Sequence, residues 1–224
     1  MRLVYEGKTK RVYELEDGRY LLYFKDDVTG EDGRIAPGSN FVLGTLKGKG
    51  QASLKLSRHF FDLLKKEGVP THYIEADIEK NTMAVRKAKT FGRGLEVICR
   101  FKAYGSFIER YGDYVEEFQP LDGLVEITLK DDERGDPLIN DEALVKLGLL
   151  TEEELVQVKE IARKVATIVR DDLASRGLDL VDIKFEFGKI GDEIAVIDDI
   201  SGDNMRVFKN GQQVSACDLT DIVV

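Results

Sequence analysis

From residue 181 to residue 187 apolar and charged side chains alternate without a break, and that alternation dictates a strand with two chemically opposed faces. Asp182, Lys184 and Glu186 share one face, while Val181, Ile183, Phe185 and Phe187 supply core from the other. Three charges on so apolar a strand are expensive to bury without partners, so the charged face must line something polar. A second strand at 195–197 ends at Asp198, where the chain leaves the sheet, with Asp199, Asp203 and Arg206 close behind. A hairpin of the two strands brings Glu186 and Asp198 together, and two converging carboxylates suit a hard divalent cation. The pattern reads as a magnesium-nucleotide site with Lys184 beside it; the alternative is a structural ion-pair network.

Around this hairpin the chain reads as α+β, two layered units with a cleft between them. Short strands are expected on either side of Gly7 and at 20–24, followed by a long glycine-rich loop from Thr29 to Gly50. A helix follows over 52–66, with Leu54, Phe60, Phe61 and Leu64 inward and Gly68 as its C-cap. Strands at 72–74 and 82–86 lead to a basic, glycine-bearing connection at 87–94, which sets the division into residues 1–88 and 89–224. Beyond it lie a strand at 95–100, a helix at 106–111 and a strand at 124–129. Thr151 and the three glutamates after it open a long amphipathic helix that runs to about Ser175 and stops at Gly177.

Several short motifs admit two readings. Lys8 and Lys10 fall on one face of a strand beside Gly7, a phosphate grip or an ordinary edge strand guarded by lysines. The spacing is not that of a Walker loop. Asp26, Asp27, Glu31 and Arg34 bind substrate or metal, or are turn residues; Lys47 and Lys49 are a second anion contact or a loop before a helix. Arg100, Ser106 and Arg110 frame a strand, glycine turn and helix start, either an anion site or a plain N-cap with surface charges. His59 and His72 have no cysteine or carboxylate at ligand spacing and read as structural.

The net charge of −9 argues against a general nucleic-acid binder. No apolar run approaches membrane-spanning length and the amino terminus carries no signal-peptide pattern, which points to the cytoplasm. Two cysteines make neither a disulfide framework nor a zinc site, and Cys99, in an apolar run, reads as a buried thiol.

Taken together the segments resemble the SAICAR synthetase family. The resemblance runs through residues 5–13, the Phe-Lys-Asp-Asp of 24–27 with Asp32 and Gly33, and Lys49-Gly50. It continues through 68–71, Arg100 to Ser106 and on to Gly112, Gly-Asp-Pro-Leu-Ile-Asn at 135–140, and the hairpin. It implies two lobes with antiparallel sheets and flanking helices around an ATP-grasp or kinase-like nucleotide cleft, the amino-terminal lobe covering ATP. The implied reaction joins carboxyaminoimidazole ribotide (CAIR) to L-aspartate with cleavage of ATP, through an acyl phosphate. Lys8 and Lys10 are then expected on the ATP phosphates, the segment Arg86, Lys87, Ala88 on adenine, and Lys184 near either. Glu186 and Asp198 are implied to hold magnesium. Arg100, Ser106, Asp182, Asp203 and Arg206 are implied to bind substrate, with Lys184, Asp182 and Arg206 carrying the catalytic role. The family also implies a homodimer with small-molecule substrates and neither nucleic acid nor membrane as partner. A kinase-like phosphotransferase, a ligase of another carboxylate, or a nucleotide-responsive binding module would use the same cleft.

The chain departs from the family pattern at five places, one of them the region 36–46, which is longer than in many bacterial forms. Asp199 stands where a glutamate is common, Gly202 where a proline is, and Phe101 where an asparagine is. The tail after Arg206 is expected to lack a closing helix.

Overall fold

The computed structural model describes residues 1–31, 34–35 and 41–224. The first antiparallel sheet contains β1 (Arg2–Glu6), β2 (Lys10–Glu14) and β3 (Tyr20–Phe24), continued by β8 (Thr82–Val85) and then β7 (Tyr73–Asp77). Gly7 N–H donates to the carbonyl of Lys10 (2.8 Å), so the chain reverses between β1 and β2. Lys8 therefore lies in a turn and only Lys10 on a strand, a correction to the expectation that both share one strand face.

The expected long loop is also corrected. β4 (Asp27–Glu31), β5 (Arg34–Ile35) and β6 (Phe41–Thr45) form a small antiparallel sheet in the order β5-β4-β6. The β-prone run Phe41-Val-Leu pairs with Val28 and its neighbours, and this outweighs the glycines between them. Asp32, Gly33 and 36–40, where some of the sequence motifs fall, lie outside the described residues.

α1 (Lys49–Lys66) starts three residues earlier than its apolar period suggests. Its N-cap, Gly48, has no side chain to offer; Asp26 caps the helix from a distance, accepting from the N–H groups of Gly48 (3.1 Å) and Gly50 (2.9 Å). The acidic pair thus divides: Asp26 is a cap, and Asp27 pairs with Lys25 (2.7 Å).

The second sheet is built on β12 (Asp179–Ile190), the strand of alternating charge. β10 (Leu95–Lys102) lies along one edge, setting Glu96 opposite Glu186 and Arg100 opposite Asp182, with β11 (Pro120–Leu129) beyond. β9 (Lys89–Thr90) pairs with the end of β12. The other edge is shared. β13 (Glu193–Ile197) pairs with residues 186–190 of β12, and β14 (Met205–Lys209) with residues 179–183. β15 (Gln212–Gln213) follows outside β14. Short helices α2 (Ser106–Tyr111) and α3 (Asp141–Lys146) flank the sheet.

α4 (Glu152–Ala174) covers the apolar face, with Val165, Ala166 and Val169 in one core with Ile183, Phe185 and Val97. Its start carries the expected N-cap, which the structure completes as a capping box: Thr151 Oγ1 accepts from Glu154 N–H, and the Glu154 carboxylate accepts from Thr151 N–H. The charged face of β12 is left looking towards the first sheet. His59 is not isolated, as spacing suggested, but bonds Asp172 of α4 at 2.9 Å and ties α1 to α4.

The tail is corrected too. α5 (Ala216–Val223) closes the described chain, capped by Ser215 and packed on α1 through buried Leu219 and Val223. Among the described residues no helix is long and apolar enough to cross a membrane.

His72 is 4% exposed, packs on Phe61 at 5.5 Å, and neither ring nitrogen has a hydrogen-bond partner. Burial, helped by Lys10 and Arg86 and opposed by Asp198, pushes its pKa down to about 3. Below pH 6.5 the unfolded chain therefore takes up a proton that the fold refuses, so stability falls as pH drops from 6.5 towards 3 and is complete above that window. In urea titrations, His72→Gln is expected to remove a loss of about 1.4 kcal/mol per pH unit over the acid side of this window. Parallel curves for both proteins would refute it.

Candidate active site

The site exists because β12 changes partner in mid-strand. Between β13 and β14 the segment 198–204 leaves the edge opposite Lys184, whose N–H bonds the carbonyl of Asn204 at 2.8 Å. Asp198 makes the exit with a left-handed φ of 66°, uncommon for a residue with a side chain and tolerated best by Asp and Asn. Its carboxylate thereby joins Glu186 in a cleft lined on one side by Gly7, Lys8 and Lys10 and on the other by Lys130, Lys184, Glu186, Asp198, Asp199 and Asp203.

The charges there are strongly coupled. Lys10 lies 2.9 Å from Asp198 and also pairs with Asp199; these two outweigh burial and raise its pKa. Burial pushes Asp198 up, but Lys10 and Lys130 override it and hold the carboxylate at about 2. Glu186 goes the other way: burial and the nearby Asp198 push it up against the pull of Lys130, with which it is paired, and of Lys184. Two carboxylates whose mutual repulsion separates their ionisation are a hard-oxygen donor pair suited to a divalent cation. No three acidic, histidine or cysteine side chains converge among the described residues. The pair therefore fits magnesium, which takes one or two carboxylates and completes its shell with water and phosphate, rather than a full protein cage.

Lys184 bonds Glu96 at 2.5 Å, and Glu96 also accepts from Thr128 Oγ1 at 3.2 Å. Lys49, its side chain 3% exposed, pairs with Asp203, to which Ser53 Oγ also donates (3.3 Å). Lys8 reaches Asp132 across the cleft at 3.1 Å.

A second constellation lies further along the same pair of strands, β10 and β12. Arg100 is 2% exposed and spends its three nitrogens on Glu126 (2.7 Å), Asp182 (3.0 Å) and Ser106 Oγ (3.0 Å). Arg206 bonds Asp182 at 2.7 Å and Arg110 bonds Glu126 at 2.6 Å. Three guanidinium groups thus face two carboxylates, leaving one positive charge in excess, suited to an anion at the start of α2. Arg110 and Arg206, their side chains 30% and 23% exposed, are the groups with surface to offer; Arg100 is consumed by the protein.

Gly105, with φ 53° and ψ −130°, precedes α2, and a Cβ there would fall 2.8 Å from the Arg206 guanidinium carbon. Gly105→Ala is expected to cost about 1–3 kcal/mol and to displace Arg206. Thermal melting checks the first effect and the substrate KM values the second; an unaltered protein on both counts would refute the prediction.

Lys8, Lys10, Lys184, Glu186, Asp198 and Asp203 are therefore brought into one cleft, with Arg100, Ser106, Asp182 and Arg206 as its neighbour. Arg86, Lys87 and Ala88 do not line that cleft. They run along the seam between the two sheets, where Arg86 N–H bonds His72 O (2.7 Å) and Lys87 reaches Glu14 (3.4 Å). Phe101 points to the opposite face of the sheet under Arg170, 4.8 Å from its guanidinium, so its departure from asparagine removes nothing from the cleft.

Lys130 and Glu96 were missed by sequence reasoning. Glu96 carries the signal that exposed β12, a charge inside an apolar strand; Lys130, at a strand end before an acidic turn, carries none.

The chain is similar to known proteins over nearly its whole length. The family model for SAICAR synthetase matches residues 3–218. A protein of Clostridium tetani named phosphoribosylaminoimidazole-succinocarboxamide synthase is 52% identical over 226 residues, covering all of both chains. One of the same name from Pyrobaculum calidifontis is 40% identical, covering 95% of this chain and 84% of its own. The solved structure of a SAICAR synthetase in complex with ADP superimposes with a TM-score of 0.83 at 36% identity, over 94% of this chain and 86% of that one.

Proposed function

This chain belongs to the SAICAR synthetase family, and we propose that its cleft joins the carboxylate of CAIR to the amine of L-aspartate, splitting ATP to ADP and phosphate. The family match over residues 3–218 carries the reading, and the ADP-bound relative supports the nucleotide.

A carboxylate is a poor acyl donor until one oxygen becomes a leaving group. A CAIR carboxylate oxygen attacks the γ-phosphorus of ATP, the bond to the bridging oxygen breaks, and ADP departs. The aspartate amine, having given up its ammonium proton to water, attacks the acyl carbon; the carbon–oxygen bond breaks, and the departing phosphate takes the second proton from nitrogen. Lys8 and Lys10 hold the polyphosphate and Lys184, oriented by Glu96, faces the transferred group. Glu186 and Asp198 hold magnesium, which when bound screens the phosphates from the carboxylates. Arg206 takes a substrate anion, Asp182, itself held by Arg100, fixes its guanidinium, and Ser106 completes the pocket at α2. Asp203 meets the ribotide, and the segment Arg86, Lys87, Ala88 borders adenine. Holding these anions in line is the main task, because positioning and charge screening supply most of the rate in phosphoryl transfer. The enzyme acts as a cytoplasmic homodimer on small molecules, a mass that light scattering measures.

The test is ADP release with magnesium-ATP, CAIR and L-aspartate, omitting each in turn. Turnover requiring all three, with SAICAR as product and isotopic oxygen passing from CAIR to phosphate, is the expected result. Turnover with CAIR alone points to a phosphotransferase or to a loosely coupled acyl-phosphate step, which amide formation on adding aspartate tells apart. Turnover that never yields an amide, or binding without turnover as in a nucleotide-responsive module, refutes the ligase.

A further inference from the structure

We infer that α5 is a positioning element of the substrate site: seated against Gly202, it holds the turn 201–204 so that Asp203 faces the cleft. The inference rests on the assignment of Asp203 to the ribotide. Gly202 is buried, and a Cβ on it would lie 2.6 Å from both Cα and Cβ of Ala216, the first residue of α5. Real Cβ atoms do not approach backbone so closely, so the helix occupies the volume a side chain or a proline ring at 202 would need.

The turn is fastened from within, Ser201 N–H bonding Asn204 Oδ1 (3.1 Å) and Asp203 N–H bonding Ser201 Oγ (3.3 Å). It is fastened from outside by α1, which supplies Lys49 and Ser53 to Asp203. α5 is tied to α1 as well: Thr220 Oγ1 lies 3.1 Å from the carbonyl of Ala52, on the turn of α1 that carries Ser53, and shares its one proton between that carbonyl and Ala216 O of its own helix, also at 3.1 Å. The turn, α1 and α5 therefore each touch the other two, with Asp203 where they meet. A helix that merely completed the core would need only Leu219 and Val223; contact at a glycine in the active-site turn makes its position matter to binding.

Two variants test this beside the wild-type enzyme, with steady-state KM values for CAIR and ATP and a melting curve for each. Gly202→Ala forces α5 away from the turn and is expected to raise the KM for CAIR about tenfold while the KM for ATP stays within about twofold. Adding Ala216→Gly removes one of the two atoms struck and is expected to recover part of that loss. Thr220→Val cuts the tie to α1 without touching the turn and is expected to give a smaller rise in the same constant. It also decides the matter should Gly202→Ala fail to fold. Equal changes in both KM values, or a lower melting temperature with both constants unchanged, would make α5 a stabilising element only and overturn the inference. Failure of the wild type to make an amide from CAIR and aspartate would instead remove the ligase reading beneath it.

Discussion

Glu186→Gln is expected to lower kcat by at least about 100-fold with the fold intact. The carboxylate sits beside Asp198, and burial together with that neighbour raises its pKa. The neutral amide relieves this repulsion while nearly preserving shape, so the melting temperature should hold or rise. What disappears is one of the two negative charges proposed to hold the cation, since the amide keeps a neutral and weaker oxygen donor. Lys130, its side chain 35% exposed, loses its partner but keeps access to water, which limits the penalty. Assays across magnesium concentration separate this from a general lesion: a magnesium requirement shifted upward supports the metal role, and full activity at the wild-type requirement contradicts it.

The largest loss of stability is expected from Asp182→Ala. Its side chain is 5% exposed and accepts from both Arg100 and Arg206. Deleting it strands the Arg100 guanidinium in a buried position with one carboxylate instead of two, and breaking such a pair typically costs about 3–5 kcal/mol. Arg206→Ala, by contrast, removes the more exposed partner and is expected to keep the fold and raise a substrate KM. Urea denaturation of both proteins measures the difference. A loss below about 1 kcal/mol for Asp182→Ala would mean that the pair is screened like a surface bridge, leaving Arg100 open to contact substrate directly.

Both predictions concern residues visible in the sequence, but for unequal reasons. The face of Asp182, Lys184 and Glu186 follows from period two, and the start of α4 from Thr151 and Glu154, because both signals lie within a few neighbouring residues. The small sheet of β4, β5 and β6 was hidden because its glycines read as a loop, and pairing between strands outweighs that local preference. α5 was hidden because eight residues are too few to hold a helix on their own; packing on α1 gives it a reason to form.

By itself the sequence determined the α+β class, the charged face of the central strand and, through the order of its motifs, the family. Tertiary structure alone decided which opposite charge each site residue meets. Lys130 reaches Glu186 across 56 positions, Lys184 meets Glu96 across 88, and Lys49 finds Asp203 across 154. These pairings depend on the register of β10 against β12 and on the mid-strand exit at Asp198. Period and capping act between near neighbours, whereas an ion pair depends on distance in space, which the chain acquires only when its sheets are assembled.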